Sequence, residues 1–275
     1  MKRSLVIFDL NNILFRGCAI NKEYNIDDSY TNGLLMFLWH LSSAVHDVEP
    51  TNIVVVNDSP PYTRKELCLD FKQGRKKDPE LVARVNESRP LCLDFMKEFN
   101  ITYWEVPGLE ADDLMACMCW DERFLYYDIY LSSNDSDLYQ LLCDSVYLYK
   151  GRKEGIYSLN DFYKEFNDLT PDELIDVLSI SGTHNGLKGF AGYGPVKSLK
   201  LYRDKRAFNT FLEEGDNLSK FELYRKLVCL PLEKHEIPEL KELNYSEDRF
   251  NSYLSSRNLT PTTYMYRAFD ILKGY

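Results

Sequence analysis

Short apolar runs that end in an acid recur along this chain. Ser4-Leu5-Val6-Ile7-Phe8 is closed by Asp9 and followed by Asn11-Asn12, which predicts a buried strand with a polar loop at its carboxyl end. Ile53 to Val56 repeats the pattern and reaches Asp58 before Ser59-Pro60-Pro61. Between the two, Leu34, Phe37, Leu38, Leu41 and Val45 follow helical spacing after the candidate caps Asp28 and Ser29, and Pro50 closes the segment. Ile101 to Val106 alternates with β-favouring residues and predicts a third strand. Pro107-Gly108 then turns into Leu109-Glu110-Ala111-Asp112-Asp113, a helix start whose apolar face is Leu114, Met115 and Met118. Tyr127 to Leu131 predicts a fourth strand, after which come Asp135 and Asp137. Val146 to Tyr149 and Ile156-Tyr157 predict a hairpin, Ser158 caps a helix ending near Phe166, and Thr170-Pro171-Asp172-Glu173 starts another that runs to about Ser179. Continuous apolar strands alternating with helices predict an α/β fold with a mostly parallel central sheet. Sites in such sheets lie beyond the strands' carboxyl ends, where the acids fall.

The glycine-containing stretch Gly182 to Leu199 supports two readings. Gly189, Gly192 and Gly194 before a helix let backbone N–H groups approach an anion, with Lys197 adding positive potential. A plain connector is the alternative, although Phe190 and Tyr193 between the glycines favour a packed turn. Beyond Tyr202 the chain is polar and helical, interrupted by Pro231, Pro238 and Pro261, and no chemistry is legible there.

The 275 residues, 44% of them hydrophobic, suffice for one large domain or two small ones. No apolar run approaches the roughly 20 residues of a membrane span, and the start lacks a signal-peptide core, so a soluble intracellular protein is expected. Seven scattered cysteines, with Cys117-Met118-Cys119 wrongly spaced for zinc, are read as reduced thiols. A net charge of -10 argues against indiscriminate coating of nucleic acid. Yet Arg64, Lys65, Lys72, Arg75, Lys76, Lys77 and Arg84 make a locally basic segment within 61–100. It reads as an insertion too charged for core, either a solvated helical face or an arm that grips phosphate.

The acids admit two readings as well. Glu110, Asp112 and Asp113 could merely complement a helix dipole, and Asp135 could cap a helix with Asp137 in its first turn. Carboxylates at successive strand ends favour the other reading, a hard divalent cation that neutralises them.

Taken in order, these motifs resemble the 5′ nucleases of the flap endonuclease family, over roughly residues 4–202. Asp9 is similar to the family's first-strand aspartate, Asn57-Asp58 to its second, and Phe71-Lys72-Gln73-Gly74-Arg75 to its arm motif. Glu110-Ala111-Asp112-Asp113 resembles its acidic helix motif, Asp135-Ser136-Asp137-Leu138 its second acidic pair, and Gly189 to Ser198 its helix-hairpin-helix turn. The resemblance implies a PIN-like α/β nuclease core over 1–168 with a helical arch at about 60–100, and a helical region over 169–275 carrying the hairpin, packed as one unit. It implies Mg2+ or Mn2+ held by Asp9, Asp58, Glu110 and Asp112, with Asp113 nearby and Asp135 and Asp137 toward a second ion. Lys72 and Arg75 are then expected at the scissile phosphate, and Arg64, Lys76, Gly189, Gly192, Gly194 and Lys197 on DNA, with K+ at the hairpin. One departure stands out: the family's aspartates before the hairpin are replaced by Gly182 (or Thr183) and Asn185, which weakens the second ion's site.

The expected activity is metal-dependent hydrolysis of DNA at 5′ ends, flaps and branches, by a monomer meeting replication proteins in a bacterial cytoplasm, with a phage source suggested. Three rivals remain: a branched-DNA-binding protein of this fold that cuts poorly, an enzyme removing RNA from RNA-DNA hybrids, and a phosphate-handling enzyme with Asp9 as nucleophile. The last would usually place an aspartate where Asn11 stands.

Overall fold

The computed structural model describes residues 3–19, 31–69, 71–72, 78–183, 186–241 and 246–258. Among these, six strands form one sheet: β1 (Arg3–Asp9), β2 (Asn52–Asn57), β3 (Thr102–Glu105), β4 (Tyr127–Ser132), β5 (Val146–Tyr149) and β6 (Ile156–Tyr157). The order is β3-β2-β1-β4-β5-β6, parallel except for the antiparallel β5–β6 edge hairpin. The apolar run of Leu5 to Phe8 thus occupies the centre, where a strand is buried on both faces.

Alternation along β1 feeds two cores. Val6 and Phe8 face a cluster built with α1 (Leu10–Ala19), α2 (Thr31–Val48), the long α4 (Pro79–Glu98) that follows the short α3 (Arg64–Leu67), and Phe250 and Tyr253 from Glu247–Ser255. Leu5 and Ile7 face the other cluster, whose nearest helix is α5 (Ala111–Cys119). That second core continues without a break through Phe162 of α6 (Leu159–Phe166) and Leu174 of α7 (Pro171–Ser181) to Tyr202 of α8 (Pro195–Arg203). Phe208 and Phe211 of α9 (Lys205–Glu213) and Phe221 of α10 (Asn217–Val228) extend it; Glu247–Ser255 is α11.

The caps read from the sequence are made. Ser158 Oγ accepts from Asp161 N at 3.3 Å and Thr170 Oγ1 from Glu173 N at 3.2 Å. Two expectations fail. Asn11 and Asn12 lie in the first turn of α1 rather than in a loop, because Asp9 Oδ1 accepts from Asn12 N at 2.9 Å and starts the helix at once. The segment 61–100 is not an insertion outside the core: α4 buries Val85, Cys92, Phe95 and Met96 in the first cluster, and of its charged residues Arg89 turns inward to Asn11. The candidate caps Asp28 and Ser29 lie outside the described residues.

Candidate active site

Parallel pairing sets Asp9 beside Val56, so Asp58, two residues further, stands on the same carboxyl-end ledge. The start of α5 closes over that ledge. Ala111 N donates to Asp58 Oδ1 at 2.9 Å, while Asn11 Nδ2 donates to Asp58 Oδ2 at 2.8 Å. Glu110 and Asp112 enter from α5, and Asp135 enters after β4, accepting from Asp137 N at 3.0 Å as it caps the 3-10 turn Ser136–Leu141. Capping by Asp135 and a place in the acidic group are therefore not exclusive. A cleft of about 50 Å³, bordered by Lys72, Glu110, Asp112, Asp135, Asp137 and Thr183, lies between these elements. It admits small ions and water but no nucleotide.

Electrostatics shows the strain of gathering these acids. Burial, then repulsion from Asp58 and Asp135, pushes the Asp9 carboxyl up to about 7. Burial, then Asp135, does the same to Asp137, also to about 7. Burial, then Asp135, Asp9, Glu110 and Asp58, holds Asp112 well above the usual carboxylate range.

Cations answer part of this charge. Lys72 pairs with Glu110 through its Nζ, and its own backbone takes a left-handed conformation, φ 58°, with its N–H donating to Gly186 O at 2.9 Å. Burial pulls its ammonium down, and Glu110, Asp58 and Asp112 overcome that and hold it above its ordinary value. A lysine held at positive φ is a costly arrangement of the kind found at functional positions.

Arg64 and Asp113 depart from the sequence expectations. Arg64, expected on DNA, is 3% exposed; its guanidinium pairs with both oxygens of Asp113 and reaches Glu110 at 3.2 Å and the carbonyl of Leu227 at 2.8 Å. Asp113, expected near the metal, is fully buried, and Oδ1 also accepts from Leu232 N at 2.7 Å. Its two oxygens are used internally, so neither Asp113 nor Arg64 is free for a ligand. Arg75, Lys76 and Asn185 lie outside the described residues.

The segment Leu227 to Leu232, where no chemistry was legible, is the cleft's remaining wall. Gln140 straps it down, with Nε2 donating to Val228 O at 3.1 Å and Oε1 accepting from Leu230 N at 2.9 Å. Leu227, Val228 and Leu230 line the cleft. A buried glutamine three residues after Asp137 was the one available signal.

At the glycine turn between α7 and α8, Gly182 and Gly189 interlock. A Cβ on Gly189 (φ +67°) would meet Gly182 N at 2.4 Å. Gly189 is buried by that packing, which corrects its expected place on DNA. Gly192, Gly194 and Lys197 are exposed, and α8 begins at Gly194 and Pro195 with no side chain capping its N–H groups.

The donor set fits a hard divalent cation: the oxygen donors gathered at the ledge are carboxylates, several with raised affinity for protons, and Asp137 Oδ1 is buried with no hydrogen-bond partner. Among the described residues no three acidic, histidine or cysteine side chains are already drawn together as around a bound ion.

Residues 4–167 match the family model of the 5'-3' exonuclease N-terminal, resolvase-like domain. The chain is 32% identical over 228 residues to a 5'-3' exonuclease of Bacillus subtilis, covering 78% of this chain and 75% of that protein. It is 27% identical over 234 residues to DNA polymerase I of Bacillus subtilis, covering 82% of this chain but 26% of the polymerase, so it spans about a quarter of such relatives. In fold it is similar to the bacteriophage T5 D15 flap endonuclease, solved with DNA and metal ions, with TM-score 0.64 at 18% identity over 98% of this chain and all of that one. The Rad2 catalytic core, solved with DNA substrate, gives TM-score 0.61 at 14% identity, covering 99% and 92%.

Proposed function

The chain belongs to the 5'-3' exonuclease family, and on that premise we propose that it is a divalent-metal-dependent 5′ nuclease that hydrolyses DNA at 5′ ends, flaps and branches. The observation that carries this reading is the convergence of Asp9, Asp58, Glu110, Asp112, Asp135 and Asp137 with Lys72 at one ledge, with raised proton affinity at Asp9, Asp112 and Asp137. Asp9, Asp58, Glu110 and Asp112 would hold the first Mg2+ or Mn2+, and Asp135 and Asp137 a second, weaker one, since Gly182 and Thr183 add no carboxylate. A bound divalent ion in such a site supplies an activated water and charge stabilisation at phosphate.

The chain's own residues do the rest. Lys72, released from Glu110 once that carboxylate is engaged elsewhere, would meet the negative charge of the scissile phosphate, and Arg75 of the same sequence motif would add its charge there. Gly192, Gly194 and Lys197, at the uncapped start of α8, hold the duplex backbone without reading sequence, and the same turn would seat K+. Asp58 and Asp9 keep their orientation through the N–H groups of Ala111 and Asn12.

The thin second site favours one competing reading, a branched-DNA-binding protein that cuts poorly. The test is cleavage of a 5′-labelled flap duplex, and of the same duplex with an RNA 5′ segment, in Mg2+, Mn2+ and EDTA. Metal-dependent release of short products supports the nuclease, and the RNA arm tells a primer-removing activity from a DNA-specific one. Tight binding with no cleavage in any metal contradicts the proposal.

A further inference from the structure

Asp58 is held by more than the N–H of Ala111 and the Tyr62 hydroxyl, which donates to its Oδ2 at 3.4 Å. Asn11, on the first turn of α1, donates Nδ2–H to Asp58 Oδ2 at 2.8 Å, and its Oδ1 accepts from Arg89 Nη2 at 2.8 Å. The amide can lie only one way round here, because a guanidinium has no acceptor and a carboxylate no donor. Arg89 sits on α4, the helix that follows the basic segment, 78 residues along the chain from Asn11. Its Nε is buried without a hydrogen-bond partner, so the Nη2 bond to Asn11 is what fixes the guanidinium.

We propose that Arg89 and Asn11 form a positioning relay that aims the Asp58 carboxylate at the metal site and ties that ligand to helix α4; the proposal rests on the metal-nuclease reading above. Arg89 contacts no metal-binding carboxylate itself. It fixes the face that Asn11 presents. Without Arg89 the amide loses the partner of its carbonyl oxygen and is held by the Asp58 bond alone, so Asn11 and the carboxylate it holds are aimed less firmly. Groups that orient metal-binding carboxylates in this manner are generally worth about 10–100-fold in metal affinity. The relay makes the posture of α4 felt at the metal site.

The test measures three quantities on the full chain: Mn2+ affinity by titration, flap-duplex affinity in EDTA, and cleavage as a function of Mn2+ concentration. Arg89→Leu and Asn11→Leu are each expected to weaken Mn2+ binding about 10-fold. The half-saturating Mn2+ for cleavage should rise by the same factor, and the rate at saturating Mn2+ and the DNA affinity in EDTA should stay within about twofold. The double variant should be no worse than either single one, because both break the same chain. Arg89→Lys should restore most of the Mn2+ affinity, and thermal melting of each variant separates loss of fold from loss of positioning.

Additive losses in the double variant, or Mn2+ affinity unchanged in Arg89→Leu, would overturn the relay. Loss of DNA affinity in EDTA without a change in Mn2+ binding would also overturn it and make Arg89 a phosphate contact. A wild-type chain that binds Mn2+ through the relay but cuts no substrate would sink the nuclease reading and leave the relay standing.

Discussion

Two cation–carboxylate pairs of opposite character flank the start of α5, their carboxylates three residues apart in the motif. Arg64 with Asp113 is sealed: both side chains are at or below 3% exposure, and the carbonyls of Leu227 and Cys229 and the N–H of Leu232 complete their bonds. Lys72 with Glu110 is open to the cleft at 16% and 7% exposure, and its lysine is held in left-handed backbone on a loop. The first pair is bonded on all sides and has no reason to part. The second opposes one flexible ammonium to a carboxylate that other acids also crowd, so a divalent ion and a phosphate can exchange for it. On the proposed metal-nuclease reading, the motif Glu110-Ala111-Asp112-Asp113 divides into a half that builds the site and a half that would work in it.

Breaking the sealed pair should have the largest effect. Arg64→Leu strands a buried carboxylate and is expected to cost about 3–5 kcal/mol of folding stability, read by urea denaturation. Lys72→Ala should leave the melting temperature in Mg2+ nearly unchanged and lower the cleavage rate about 10²–10³-fold at saturating DNA. If both variants lose stability equally, the two pairs are not different in kind.

The pH dependence sharpens the same contrast. Asp9 and Asp137 are pushed up to about 7 in the folded chain, against about 3.9 when unfolded. The folded state therefore binds more protons at these two groups between these values, so their contribution to stability in EDTA is full below about pH 3.9 and is lost as pH rises toward 7. Mg2+ should reverse the trend, because it binds the deprotonated acids, so its stabilisation grows from pH 6 to pH 8. Melting curves with EDTA and with Mg2+ at several pH values check the sign; a metal-free protein that gains stability over this range would contradict it. The smallest effect is expected at the hairpin. Lys197→Ala should weaken duplex binding by a few fold and reduce the salt dependence by about one charge, with no change in Mg2+ affinity.

How much of this was legible in the sequence follows the same division. The buried strands and the acids behind them were readable because continuous apolar runs and terminal aspartates are local signals. The capping boxes at Ser158 and Thr170 were local too. Arg64 was read as a surface cation because its neighbours Lys65 and Glu66 are charged, and only a fold that brings Leu227 and Cys229 to it reveals a buried role. The wall Leu227 to Leu232 carries no motif, being the apolar end of α10 and the loop after it, and its fixing by Gln140 spans 88 and 90 residues. Asn11 was misread because two asparagines after a strand are typical of a turn, whereas Asp9 here begins a helix. Gly189 was read for its freedom to approach phosphate and serves instead to let the backbone of Gly182 come close.

The most direct test compares Asp112→Asn with Asp113→Asn, two neighbouring and chemically identical changes, by melting in EDTA and by flap cleavage in Mg2+. Asp112→Asn should melt at or above the wild-type temperature, because a repelling charge is gone, and should cleave nothing measurable. Asp113→Asn should melt far lower, because the buried Arg64 loses its two-oxygen partner and keeps only the 3.2 Å contact to Glu110 and two backbone carbonyls. Near-normal cleavage by Asp112→Asn, or a wild-type melting temperature for Asp113→Asn, would contradict the division of the acidic motif into a working half and a structural half.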